Sequence, residues 1–122
     1  MLIQEASEMY LETILVLQRR LGAVRSIDVA TEMGYSKPTI SETMKKLREN
    51  GYVDIDRSGH ISLTEEGEEI AIRTYERHNV IAEIFRRMGV STETAGRDAC
   101  RVEHYISDET FERMKEFFRY GQ

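Results

Sequence analysis

From Leu2 to Leu21, apolar positions recur every three or four residues, through Ile3, Ala6, Met9 with Tyr10, Thr13 with Ile14, and Leu17. This spacing follows the turn of an α-helix and predicts one amphipathic helix with a buried stripe, stopped at Gly22. A shorter pattern of Ile27, Ala30 and Met33 predicts a second helix, with Ser26 as its cap and Gly34 as its left-handed stop. Ser36 caps a third helix striped by Ile40, Met44 and Leu47. Pro38 falls in its first turn, where the missing N–H would have had no helical partner.

After Gly51 the period changes to two. The alternating stretches YVDID and HISL, separated by RSG, predict a two-stranded hairpin. Thr64 then caps a long helix to about Met88, closed by Gly89. Two more helices are expected, at about Thr92 to Ile106 and Asp108 to Tyr120, the last capped by Ser107 and striped by Phe111, Met114, Phe117 and Phe118. The fold class is therefore mainly α. An N-terminal winged helix-turn-helix with a two-stranded hairpin, residues 1–64, precedes an all-helical second domain, residues 65–122.

Composition alters this picture little. Hydrophobic residues at 40%, charged residues at 32% and a single proline describe an ordinary globular chain of 122 residues. No apolar run approaches the roughly 20 residues of a membrane span, and MLIQEASEMY lacks a signal-peptide pattern, so a cytoplasmic protein without a membrane partner is expected. Net charge matters more. At −5 it excludes a protein that coats nucleic acid indiscriminately, because such binding depends on Lys and Arg neutralising phosphates. Between Lys37 and Arg48, however, Lys37, Lys45, Lys46 and Arg48 face a single acid, Glu42.

This local charge lies where a helix-turn-helix reads DNA. The second helix of such a unit offers its N-terminal side chains to base edges in the major groove. Ser36, Lys37, Pro38, Thr39, Ser41 and Glu42 occupy that start, while Lys45, Lys46 and Arg48 farther along suit phosphates. Arg57, with His60 nearby, stands at the hairpin tip, and Arg25 before the second helix joins the DNA-facing set. A basic helix pair is also what a solvated bundle face looks like. The hairpin directly after the third helix favours the DNA reader.

The second chemical signal is in AGRDACRVEHYISDE. Cys100, Glu103 and His104 stand at i, i+3 and i+4, which places sulfur, carboxylate and imidazole on one helix face. Sulfur and imidazole donors suit iron, zinc, cobalt or nickel better than calcium or magnesium. Met9, one turn from Glu12, offers a thioether from the first helix. Each residue has a plainer alternative: Met9 as core, Cys100 as a buried thiol that has no second cysteine to pair with, and Glu103, His104 and the lone His78 as surface or core contacts. No nucleophile with its base and no zinc-hydrolase pair stands out, so an enzyme is not expected. A small metalloenzyme, and a metal-independent winged-helix regulator sensing a small molecule, are the rival classes.

SEMYLETI, SKPTISETMKKLRENGYV, LTEEGEEIA, RHNVIAEIF and above all DACRVEHYISDE resemble the diphtheria toxin repressor family over nearly the whole chain. The resemblance implies a metal-activated homodimeric repressor that binds double-stranded operator DNA and controls metal-homeostasis genes, with residues 65–122 as the metal-binding and dimerisation domain. Met9, Cys100, Glu103 and His104 match the activating site of iron-responsive members, and Glu12 and His78 match positions that manganese-responsive members use. The manganese sensors carry aspartate at the position of Met9 and glutamate at that of Cys100. The sulfur pair therefore implies Fe2+ as the divalent transition metal, with Mn2+, Zn2+, Co2+ and Ni2+ as other occupants and a manganese-responsive regulator of the same fold as the alternative.

Some positions depart from the pattern. Gly96 stands where iron-responsive members have a histidine of a second, ancillary site, and Ala82, with Glu83 displaced by one, stands where they have its glutamate. Glu42 replaces a recognition-helix glutamine, which implies a different operator. The sequence stops at Gln122, before the point where longer members continue into an SH3-like third domain, so a resemblance to the two-domain branch is expected.

Overall fold

A computed structural model describes the backbone of Leu2–Tyr120 and the side chains of Ala6–Arg119; the stripe position predicted for Ile3 lies outside the described side chains. The elements are α1 (Leu2–Leu21), β1 (Val24–Arg25), α2 (Ser26–Met33), α3 (Lys37–Glu49), β2 (Val53–Ile55), β3 (His60–Leu63), α4 (Glu65–Arg87), α5 (Thr92–Val102) and α6 (Asp108–Tyr120). They form two compact units, 1–72 and 73–122, divided within α4.

In the first unit, α1, α2 and α3 pack with a three-stranded antiparallel sheet of order β1-β3-β2. The predicted hairpin is β2 with β3, in a register that pairs Val53 with Leu63 and Ile55 with Ile61. β1 adds a third strand, Val24 opposite Ile61 and Arg25 opposite His60. At two residues it is too short for alternation to show in the sequence. Val24, Val53 and Ile61 are buried on the inner face of this sheet, and Ile40, Met44 and Leu47 of α3 are buried as their spacing required.

Two stripes run differently from expectation. On α1 the buried positions are Ser7, Leu11, Ile14, Leu15 and Leu17, whereas Ala6 is exposed and Met9 is 36% exposed. Apolar residues occur on both sides of this helix, so periodicity alone left the rotation open by one position; the Leu11, Ile14, Leu15 set at i, i+3, i+4 wins the interior. On α2, Val29 and Ala30 are buried and Ile27 is exposed. Its cap is also displaced. Arg25, not Ser26, holds the extended cap position, and the Arg25 backbone N–H donates to the Asp28 carboxylate at 2.9 Å.

Thr64 links α3, the hairpin and α4. Its backbone N–H donates to the Tyr52 carbonyl at 3.0 Å, its hydroxyl donates to the Gly51 carbonyl at 2.7 Å, and its oxygen accepts from the Gly67 N–H at 3.1 Å. The last bond is the N-cap of α4.

The second unit has a small core of Ile81, Ala82, Ala99 and Phe111, with Val80, Phe85, Val102, Ile106 and Met114 packed on it. Ser91 and Ser107 cap α5 and α6 by accepting from the backbone N–H groups of Thr94 at 3.3 Å and Thr110 at 3.1 Å. On α6, Phe111 is buried and Phe118 lies under the Arg87 guanidinium at 4.7 Å, but Phe117 is exposed. Positions 111, 114 and 118 form the inward face, and 117 falls beside it. The predicted α5 stops earlier than expected, at Val102. Residues 103–105 form a tightened turn in which Tyr105 N–H donates to Val102 C=O at 3.0 Å and His104 N–H to Arg101 C=O at 3.4 Å.

Candidate functional site

The surface of α3 follows from its cap and its buried stripe. Ser36, in extended conformation, accepts from the Thr39 N–H at 3.3 Å and its hydroxyl donates to Thr39 Oγ1 at 2.8 Å. With Ile40, Met44 and Leu47 turned inward, Lys37, Pro38, Thr39, Ser41, Glu42, Lys45, Lys46 and Arg48 are all exposed. Among the described residues no acidic side chain pairs with Lys37, Lys45, Lys46, Arg48 or Arg57. These cations are therefore available to an anionic partner. The Ser36 hydroxyl is committed to Thr39, while Lys37, Ser41 and Glu42 are polar side chains of the helix start with no partner among the described residues.

Arg57 is exposed in the turn between β2 and β3, and Arg25 is exposed on β1. The turn is held by Asp56, whose carboxylate accepts from the His60 backbone N–H at 2.8 Å; this bond holds the Asp56 carboxyl below its ordinary range. The wing tip is thus fixed locally while its arginine is left to solvent.

The metal candidates gather in the second unit. His78 on α4 and Cys100 on α5 meet Glu103 in the turn after α5, and one donor atom from each lies within 4.8 Å of the other two. Glu103 keeps right-handed helical backbone angles (φ −59, ψ −26), so it stays on the face of Cys100 although the helix has ended. His78 Nδ1 is 3.4 Å from Glu103 Oε2, and His104 Nε2 is 3.5 Å from Glu103 Oε1. Glu103 is 2% exposed, and neither carboxylate oxygen has a hydrogen-bond donor among the described residues. A carboxylate placed so is costly unless a cation or a proton meets it.

His78 already responds to this anionic setting. The neighbouring Cys100 side chain, and then Glu103, hold its imidazole up to about 10, against burial, which pulls it down. Below that value the metal-free cluster carries a proton that an entering cation must displace. Nitrogen, sulfur and oxygen donors around a buried carboxylate lacking donors fit a divalent transition metal. Sequence reasoning set Cys100, Glu103 and His104 at the centre and His78 at the margin. The fold brings His78 to Cys100 and Glu103 and puts His104 on the other oxygen of the same carboxylate. Met9 and Glu12 belong to the first unit, on α1, where Thr13 Oγ1 donates to the Met9 carbonyl at 2.9 Å. The positions noted for an ancillary site hold no ligand here: Gly96 has none to offer, Ala82 is buried in the core, and the Glu83 carboxylate is taken by Arg86 and Arg87.

One residue that sequence reasoning passed over is Arg77. It is 9% exposed, and its Nη1 donates to the carbonyls of Glu103 at 3.2 Å and Ile106 at 2.9 Å. Its Nη2 pairs with the Asp108 carboxylate, and its guanidinium lies 5.2 Å from the centre of the Phe111 ring. The available signal was position: Thr74, Arg77 and Ile81 follow helical spacing on the inward face of α4.

Residues 1–61 match the family model described as the iron dependent repressor N-terminal DNA binding domain, and residues 64–122 the one described as its metal binding and dimerisation domain. The chain is 35% identical over 114 residues to the transcriptional regulator MntR of Escherichia coli, covering 93% of this chain and 74% of that one. It is 28% identical over 111 residues to the iron-dependent repressor IdeR of Mycobacterium tuberculosis, covering 90% and 48%. Among solved structures, the manganese regulator SloR superposes with a TM-score of 0.81 at 29% identity, over 93% of this chain and 54% of that one. The chain thus spans about half the length of that structure. Among the described residues no helix is long and apolar enough to cross a membrane.

Proposed function

The chain belongs to the iron-dependent repressor family of metal-dependent transcriptional regulators, and from that premise we propose that it is a ferrous-iron-activated repressor acting as a homodimer on operator DNA. The observation that carries this reading is the convergence of His78, Cys100 and Glu103 donor atoms within 4.8 Å around a buried carboxylate. His78, Cys100, Glu103 and His104 are assigned to the metal. Met9 and Glu12 of α1 are assigned to the same ion on their sequence match and, for Met9, on its exposure, which a core methionine would not show. A sulfur donor supports iron over manganese, since thiolate and thioether are poor partners for the harder ion.

A bound divalent cation supplies positive charge and coordination bonds at Glu103. The chain's own residues do the rest. Cys100 and His78 hold α5 and α4 to one point, and Met9 and Glu12 would bring α1 to it. The DNA-reading heads of a dimer must meet half-sites about 34–36 Å apart per helical turn, so restraining α1 preserves both contacts at once. Ser41, Glu42, Lys37 and the Pro38 and Thr39 apolar atoms are assigned to base edges, and Lys45, Lys46, Arg48, Arg57 and Arg25 to phosphates.

DNA-binding titrations under reducing, anaerobic conditions test the metal assignment. Fe2+ is expected to support operator binding at lower free concentration than Mn2+, and Met9→Asp combined with Cys100→Glu is expected to reverse that order. An unchanged order in the double variant removes ligand softness as the selector. A separate prediction concerns the phosphate contacts. Lys45→Ala and Lys46→Ala should each lower the slope of log affinity against log salt by about 1, and weaken cognate and unrelated DNA alike. A loss confined to one sequence would place these lysines on bases instead.

A further inference from the structure

We infer that Arg77 is a positioning residue for the metal centre: its guanidinium fixes the backbone at Glu103 and thereby sets where the Glu103 carboxylate meets an ion. The inference rests on the metal role proposed above for His78, Cys100 and Glu103.

Helix α5 ends at Val102, so the last carbonyls before α6 have no helical N–H to accept from. Arg77 supplies donors to two of them, Glu103 and Ile106, and its other arm takes Asp108, the first residue of α6. One planar group therefore spans the whole connection from 103 to 108. Glu103 lies at the start of that connection, with its carbonyl held by Arg77 and its buried carboxylate facing His78 and His104. The Glu103 N–H is tied to the Ala99 carbonyl at 3.0 Å, so Arg77 fixes the far side of the same residue, and without it only that one helical bond would hold Glu103 at the end of α5. The fork geometry is what matters. A lysine has the charge but cannot serve three acceptors in one plane. Arg77 and His78 are consecutive on α4, so the helix that offers a nitrogen donor to the ion also carries the clamp that places the carboxylate donor opposite it.

The test uses the full chain with Co2+ as probe, because its ligand-field bands report coordination geometry and its sulfur charge-transfer band reports Cys100. Two variants are compared with wild type: Arg77→Lys, and Asp108→Ala, whose side chain is 87% exposed and whose loss leaves the core intact. Arg77→Lys is expected to lower Co2+ affinity about 10–100-fold, the range for groups that orient metal ligands, and to shift the ligand-field bands at saturation. Asp108→Ala should shift both in the same direction by less, and it decides the matter if Arg77→Lys does not fold. If both folded variants melt earlier but keep wild-type affinity and spectrum, Arg77 only holds the fold and the inference is overturned. Glu103→Gln serves as the marker for the underlying reading: wild-type protein with no cobalt spectrum, or one that Glu103→Gln leaves intact, removes the metal site itself and this inference with it.

Discussion

Glu103→Gln should abolish the metal response while leaving a folded protein. The amide keeps the size and shape of the side chain, so packing around the 2%-exposed position is preserved. It removes the negative charge that both His78 and His104 face. In the metal-free protein this is tolerable, because His78 can release its proton once the facing carboxylate is lost, which leaves two neutral groups and no unpaired buried charge. In the presence of metal the loss is large. Outer-shell changes already cost about 10–100-fold in metal affinity, and removal of a ligand at the centre of the donor set should exceed that. The readout is thermal stability with and without metal. Wild-type protein at a free metal concentration 100 times its Kd gains about 2.7 kcal/mol from mass action, seen as a raised Tm, and the variant should gain none. A variant that keeps the full metal-dependent rise places the ion away from Glu103.

Gly67→Ala should destabilise the first unit, against the ordinary preference of helices for alanine. In the body of an exposed helix this change gains about 1 kcal/mol. Here a Cβ on residue 67 would lie 2.0 Å from the Tyr52 carbonyl oxygen and 3.0 Å from its carbonyl carbon, both backbone atoms. The same Tyr52 oxygen accepts from Thr64, and Thr64 caps α4 through the Gly67 N–H, so the backbone cannot yield without giving up the joint. Overpacking costs about 1–3 kcal/mol or more where nothing can move, and the loosened cap adds about 1 kcal/mol. A net loss of about 2–3 kcal/mol is expected by urea unfolding. Equal or higher stability in the variant would mean that α4 and the turn before β2 separate easily. Because that joint also supports the C-terminal end of α3, through the Tyr52 N–H bond to the Leu47 carbonyl, DNA affinity should fall with stability even though residue 67 is buried and lies outside α3.

Both predictions act at places that a reading of the chain reached unevenly. Local signals determined most of the architecture. Ser36 before Pro38, Ser91, Ser107 and Thr64 mark helix starts because a side-chain oxygen must meet N–H groups that no preceding turn can satisfy, and all four are caps. The same holds for the apolar stripe of α3, whose burial leaves its basic side chains outward. The alternation after Gly51 and the left-handed Gly34 (φ 75) are likewise properties of a few neighbouring residues. The spacing of Cys100 and Glu103 placed both on one face, and this survived the early end of α5 because Glu103 keeps helical angles.

Tertiary structure decided what depends on partners distant in the chain. The strand β1 exists only because β3 lies beside it, and two residues carry no period of their own. The rotation of α1 was settled by what packs against it, which left Met9 exposed. His78 lies 22 residues before Cys100, on another helix, so no spacing rule could group it with Cys100 and Glu103. Arg77 reads as one more charged residue of a long polar helix until the turn at 103–108 closes over it and its donors find three acceptors. A sequence states which ligands a helix face can offer. Whether they meet, and what holds them there, is set by the packing of helices that are far apart in the chain.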